Sequence, residues 1–235
     1  MRRFGRALCI AVDTTHVSRV SEGARAGEGA EADALALAAL ATQCGFLEPT
    51  VLLGAEATRE QVRSRLREAA ALCEAGDLFL LTFSGHGGRQ STATAAGHAA
   101  LRGVWVLYDG SFEDAEMHGA LAAFRRGVRV LVVSDSCNGG IPAPGDEPEQ
   151  VLASVLVMTA CRHDQYADTR GHRAHFTSTL MNTWHGRQVG DDAVSGGYRG
   201  LHEELLERMP AYQRPNYYWV GLPDAGFEAQ QPFTI

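Results

Sequence analysis

The chain has 235 residues, 45% of them hydrophobic and 21% charged, with a formal net charge of −7. That is the composition of a folded protein, and the length suits one α/β domain spanning 1–235 rather than two. All 21 basic residues are arginine and no Lys/Arg run occurs, so nucleic acid is not expected as the main partner.

In chain order, "ALCIAV" (7–12) reads as a buried strand and "EADALALAALATQCG" (31–45) as an Ala/Leu helix ending at Gly45. "PTVLLG" follows as a strand, and "TREQVRSRLREAAALCEAG" as a helix capped by Thr58 with Gln61 at the box position. "DLFLLTF" is the next strand. "GVWVLYD", the helical "EDAEMHGALAAFRRG", "VRVLVVS" and "VLASVLVMTA" continue the alternation. Helices near 174–187 and 198–208 and a strand at "NYYWVG" complete it.

Strands that are apolar throughout and separated by helices predict a mostly parallel sheet covered on both faces. Chemistry then belongs at the carboxyl ends of the strands. Three polar segments, at 87–103, 138–150 and 161–173, are expected to be loops carried on that sheet.

The five cysteines (Cys9, Cys44, Cys73, Cys137, Cys161) are odd in number, scattered and never spaced as CxxC. They suggest neither a disulfide framework nor a zinc site. The opening "MRRFGRALCIAVD" is too briefly apolar for a signal peptide, and "VLASVLVMTAC" (151–161) is too short to span a bilayer. A reduced cytoplasm, with no membrane association, is the expected compartment.

Two stretches break the apolar pattern at strand ends: "LTFSGHGGRQ", containing His86, and "VLVVSDSCNGG", containing Cys137. A thiolate nucleophile needs a base within hydrogen-bond reach and backbone N–H groups for the developing oxyanion. Gly87 and Gly88, beside His86, would let a carbonyl approach the backbone closely. The commonest fate of a cysteine in such a strand is a core thiol, and Cys9, Cys44 and Cys73 are expected to be that. The pairing of SGHGG with DSC argues otherwise for Cys137.

Together, "LTFSGHGG" and "VLVVSDSCNGG" resemble the caspase-like cysteine peptidases, and among them the metacaspase and bacterial orthocaspase branch. "VMTACRHDQYADT", "HFTSTLM" and "FEAQQPFTI" look like that family's later landmarks. The resemblance implies a caspase-like α/β fold with a central sheet of about six strands. It also implies an endopeptidase with a dyad of Cys137 as nucleophile and His86 as general base or imidazolium partner. Gly87 and Cys137 would supply the oxyanion N–H groups.

Relatives that cleave after aspartate carry glutamine two positions before the nucleophile, where this chain has Asp135. "GAEADA" (29–34) is similar to the metacaspase GCxNDA segment, which puts Asp33 on the second pocket carboxylate. Two carboxylates would bind a guanidinium and repel an acidic side chain, so the expected substrate is a protein or peptide with Arg at the cleavage site, and Lys more weakly. The segment between Asn138 and Gln150 contains no Arg or Lys, which predicts a single-chain enzyme whose self-cleavage is limited to sites such as Arg89, Arg162, Arg170 or Arg173.

No cofactor is expected. Calcium is the option that the metacaspase resemblance raises, with Asp109, Glu113, Asp114 and Asp146 as oxygen donors, although their spacing is unlike an EF-hand. A bare catalytic domain suggests a separate regulatory protein partner, and bacterial relatives often serve in stress, cell-death or antiviral responses. The alternatives are a non-catalytic caspase-fold interaction protein and a dienelactone-hydrolase-like cysteine hydrolase, the latter from the likeness of "DSCNGG" to its elbow motif.

Overall fold

A computed structural model of the chain describes residues 2–13, 29–93, 99–137, 150–162, 174–189 and 196–235. The central element is a six-stranded sheet in the order β2-β1-β3-β7-β8-β9. Its strands are β1 (Gly5–Val12), β2 (Thr50–Leu53), β3 (Leu78–Gly85), β7 (Arg129–Asp135), β8 (Ser154–Thr159) and β9 (Asn216–Gly221). All neighbouring pairs are parallel except β8 with β9.

The alternation of side chains along β1 shows why both faces are apolar. Leu8, Ile10 and Val12 join one core with residues of α2 (Arg59–Leu72) and α3 (Asp114–Ala122). Ala7, Cys9 and Ala11 join the other, with residues of α1 (Ala30–Gln43), α4 (His175–Val189) and α5 (Gly197–Arg208). Small side chains on that second face match the Ala-rich α1, whose buried residues include Ala30, Ala34, Ala38 and Ala41. Thr58 caps α2 as expected, its hydroxyl accepting the Gln61 N–H at 3.3 Å. A short helix, α6 (Ala225–Ala229), follows β9.

Two features depart from the expected pattern. The segment 87–103 is not simply a loop: β4 (Gly87–Ala93) and β5 (Ala99–Leu107) pair antiparallel, and β6 (Gly110–Glu113) adds a third strand. "GVWVLYD" thus lies mainly in this separate three-stranded sheet instead of the central one. Gly, Ser and Thr dominate β4, so it carries little of the period-2 apolar signal by which strands are read. Phe83 at the end of β3 stacks on Trp105 of β5, ring centroids 4.5 Å apart, and joins the two sheets. Among the described residues, no helix is long and apolar enough to cross a membrane.

Candidate active site

The register of β3 on β7 brings the two motifs together. Ser84 pairs with Asp135, and His86 and Cys137 each lie two residues further along the chain, just beyond their strands. The two segments leave adjacent parallel strands at the same carboxyl edge, so the residues that are distant in sequence become neighbours. His86 occupies the single position between β3 and β4, where the chain passes from one sheet to the other. Its carbonyl accepts the Val106 N–H at 2.9 Å, which fixes the backbone there. Cys137 lies in the turn after β7, half-buried and not in a disulfide.

Glycine at position 87 is a steric requirement. A Cβ there would come within 1.8 Å of the Cys137 carbonyl oxygen and 3.0 Å of Ser136 Oγ. Below this contact runs a buried polar chain: Trp105 Nε1 donates to Ser134 Oγ at 3.2 Å, and Ser134 Oγ bonds Ser136 Oγ at 2.9 Å. Trp105 is therefore a packing residue that also braces the strand carrying the cysteine. Cys161 is buried, and its thiol donates to the Ser136 carbonyl at 3.8 Å. Burial pushes the Cys9 and Cys73 thiols up to about 11, as expected of inert core thiols. Cys44 is only partly buried, packed against the edge of the second core.

Asp33 and Asp135 converge on one feature, the start of α4. Asp33 Oδ2 accepts the Ala174 N–H at 3.0 Å. Asp135 Oδ2 accepts both the Thr177 N–H at 2.8 Å and the Thr177 hydroxyl at 2.7 Å. These bonds satisfy amides of a helix N-terminus that would otherwise be orphaned. Both carboxylates are buried, Asp33 at 0% and Asp135 at 4% exposure. Burial pushes the Asp135 carboxyl up to about 6, against the opposing pull of the Thr177 bonds and the His175 charge.

Asp135 Oδ1 has no hydrogen-bond partner among the described residues, and neither has the buried Ser84 hydroxyl beside it in register. Ser84 was not singled out by sequence reasoning; its position two residues before His86, matching Asp135 before Cys137, is the signal that could have found it. His175 belongs to the first turn of α4, half-buried near Asp135. Asp13, also missed, lies at the end of β1 with its charge acting on His86. His98, His163, His172, Arg170 and Arg173, with the segment 138–149, lie outside the described residues. Arg89 and Arg162 are exposed.

The carboxylates considered for calcium serve other ends. Asp109 Oδ1 accepts the Arg59 N–H at 2.8 Å at the start of α2, Glu113 forms a capping box with Glu116 on α3, and Asp114 is buried. Asp146 lies outside the described residues. Among the described residues, no group of three or more His, Cys, Asp and Glu is arranged to hold a metal ion.

The central sheet is mostly parallel, and the His-Gly motif at one strand end lies next to the cysteine turn of the neighbouring strand. A model of the caspase domain, a peptidase family, matches residues 5–218, and the chain belongs to that family. It needs no cofactor for its chemistry. A comparison with curated proteins found no match. Among solved structures the chain is similar to the crystal structure of a protein from Geobacter sulfurreducens, a structural genomics target, at 29% identity over 99% of each chain with a TM-score of 0.84.

Proposed function

We propose that the protein is a cysteine endopeptidase that cleaves after basic residues, preferentially arginine, using Cys137 and His86. The observation that carries this reading is the Ser84↔Asp135 register, two residues before His86 and Cys137, together with the close packing of Gly87 on the Cys137 carbonyl. In the proposed cycle the Cys137 thiol gives its proton to His86, and the thiolate attacks the scissile carbonyl carbon. The N–H groups of Gly87 and Cys137 stabilise the oxyanion. The imidazolium then returns the proton to the leaving amine, an acyl-enzyme remains, and His86 draws a proton from the water that hydrolyses it. Burial lowers the His86 pKa, which favours the neutral base in the resting site.

Specificity follows from Asp33 and Asp135. A guanidinium entering beside them would supply donors for Asp135 Oδ1, and its charge would hold that carboxyl ionised. An aspartate side chain in the same place would add a third negative charge. The dienelactone-hydrolase alternative does not suit the caspase-domain family.

The test is turnover of matched fluorogenic peptides ending in Arg, Lys, Asp or an apolar residue, with Cys137→Ala as the blank. Cleavage after Arg that disappears in the variant is the expected result, and selectivity for Asp refutes the pocket. An absence of turnover together with no labelling by a cysteine-directed arginyl probe favours the non-catalytic interaction protein instead. Regulation by a partner belongs to the same proposal, and a pulldown with Cys137→Ala that retains no protein counts against it.

A further inference from the structure

The peptidase reading gives no role to Asp13, whose charge acts on His86. Asp13 is the first residue beyond β1, which pairs in parallel with β3 through Val12↔Gly85. His86 is likewise the first residue beyond β3, so the two follow directly on the last pair of this register, and the Asp13 charge acts on His86. The two backbones approach closely here: a Cβ on Gly85 would come within 3.0 Å of the Val12 carbonyl oxygen. From its other side Asp13 is anchored, because Oδ1 accepts the Ala30 N–H at 2.8 Å at the first residue of α1. A helix N-terminus is a favourable place for a carboxylate.

Burial of His86 disfavours its charged form, and the Asp13 charge is the one that opposes this. The other titratable groups at this edge are differently engaged. Asp33 of α1 and Asp135 of β7 bond the start of α4, Arg89 of β4 is exposed, and Cys137 is the reacting group itself.

We propose that Asp13 is a positioning residue of the peptidase, its carboxylate braced on the Ala30 N–H so as to orient the His86 imidazole and stabilise the imidazolium that forms when Cys137 loses its proton. The inference rests on the assignment of His86 and Cys137 as the reacting pair. The proton passes from the Cys137 thiol to the imidazole and then to the leaving amine; Asp13 accepts none of it. This is the electrostatic part of a third triad member, without proton relay.

Asp13→Asn removes the charge while keeping an oxygen acceptor for the Ala30 N–H, so the fold is retained. His86 is titrated by NMR in a Cys137→Ala background, with Asp13 and with Asn, and kcat and KM on an arginyl peptide are measured with Cys137 intact. The expected results are a lower His86 pKa in the Asn variant and a fall in kcat of about tenfold, one pKa unit being a factor of ten. KM should stay within about twofold, and Asp13→Glu should recover part of kcat, the carboxylate being the group that stabilises the imidazolium. A lowered melting temperature with an unchanged His86 titration would make Asp13 only a helix cap and overturn the proposal. If no peptide is cleaved by the unmodified protein, the peptidase reading fails, while the titration still decides whether Asp13 acts on His86.

Discussion

Two sets of carboxylates in this protein do the same structural work in different surroundings. Asp109 and Glu113 satisfy amides at the starts of α2 and α3, close to solvent. Asp33 and Asp135 satisfy amides at the start of α4, but they are buried. Asp135 keeps one oxygen without a hydrogen-bond partner among the described residues, and burial pushes its carboxyl up to about 6. A helix cap completes its bonds with the backbone, whereas a buried carboxylate with an oxygen to spare remains short of a cation. On that difference rests the proposed binding role of Asp135.

The comparison can be broken most sharply at Asp135. Asp135→Asn keeps an acceptor for Thr177 but loses the charge. A charged hydrogen bond is worth roughly 1.5–3 kcal/mol, so kcat/KM on arginyl peptides should fall by about ten- to a hundredfold, measured against an apolar peptide whose low turnover should not fall. Asp33→Asn should act in the same direction with about a tenfold loss, since its neighbour still carries charge.

The pH dependence tests the same group. Above about 6 the Asp135 carboxyl is ionised, and as pH falls through that value it takes up a proton. KM for arginyl peptides should therefore rise toward acid pH, and kcat/KM should show a limb that Asp135→Asn removes. Flat selectivity for Arg between pH 5 and 8 would mean that Asp135 does not read the substrate charge, since a group with a pKa of about 6 changes ionisation across that range.

The surface set should respond in stability alone. Asp109→Ala removes the acceptor of the Arg59 N–H, a hydrogen bond worth about 1 kcal/mol, and should lower the melting temperature by roughly 2–4 °C in a chain of this size, with peptide turnover unchanged. The smallest effect is expected from calcium: because Asp109 and Glu113 are committed to helix starts, calcium and chelator should give equal melting curves and equal rates. A calcium-dependent rise in melting temperature lost in Asp109→Ala would reverse that assignment.

Much of the architecture was legible because its determinants are local. The run 128–134 is apolar throughout, and a strand buried on both faces needs that whatever its neighbours are. Thr58 announces α2 because a cap is a bond between residues three apart. β4 and β6 were not legible: β4 is mostly Gly, Ser and Thr, β6 is brief, and among the described residues both pair with β5, so their stability comes from a partner strand and not from their own pattern.

At the candidate site the division is finer. Residue type and motif context alone single out His86 and Cys137, because SGHGG and DSC place chemistry-bearing residues at the ends of apolar strands. Tertiary structure decided the rest. The β3–β7 register sets Ser84 beside Asp135, the β1–β3 register ends at Val12↔Gly85 just before Asp13 and His86, and the Asp33 and Asp135 carboxylates meet at the start of α4. Charge, burial and a spare oxygen are properties of a place in the packed molecule, created when segments far apart in the chain exclude water together, and no local pattern of residues encodes them.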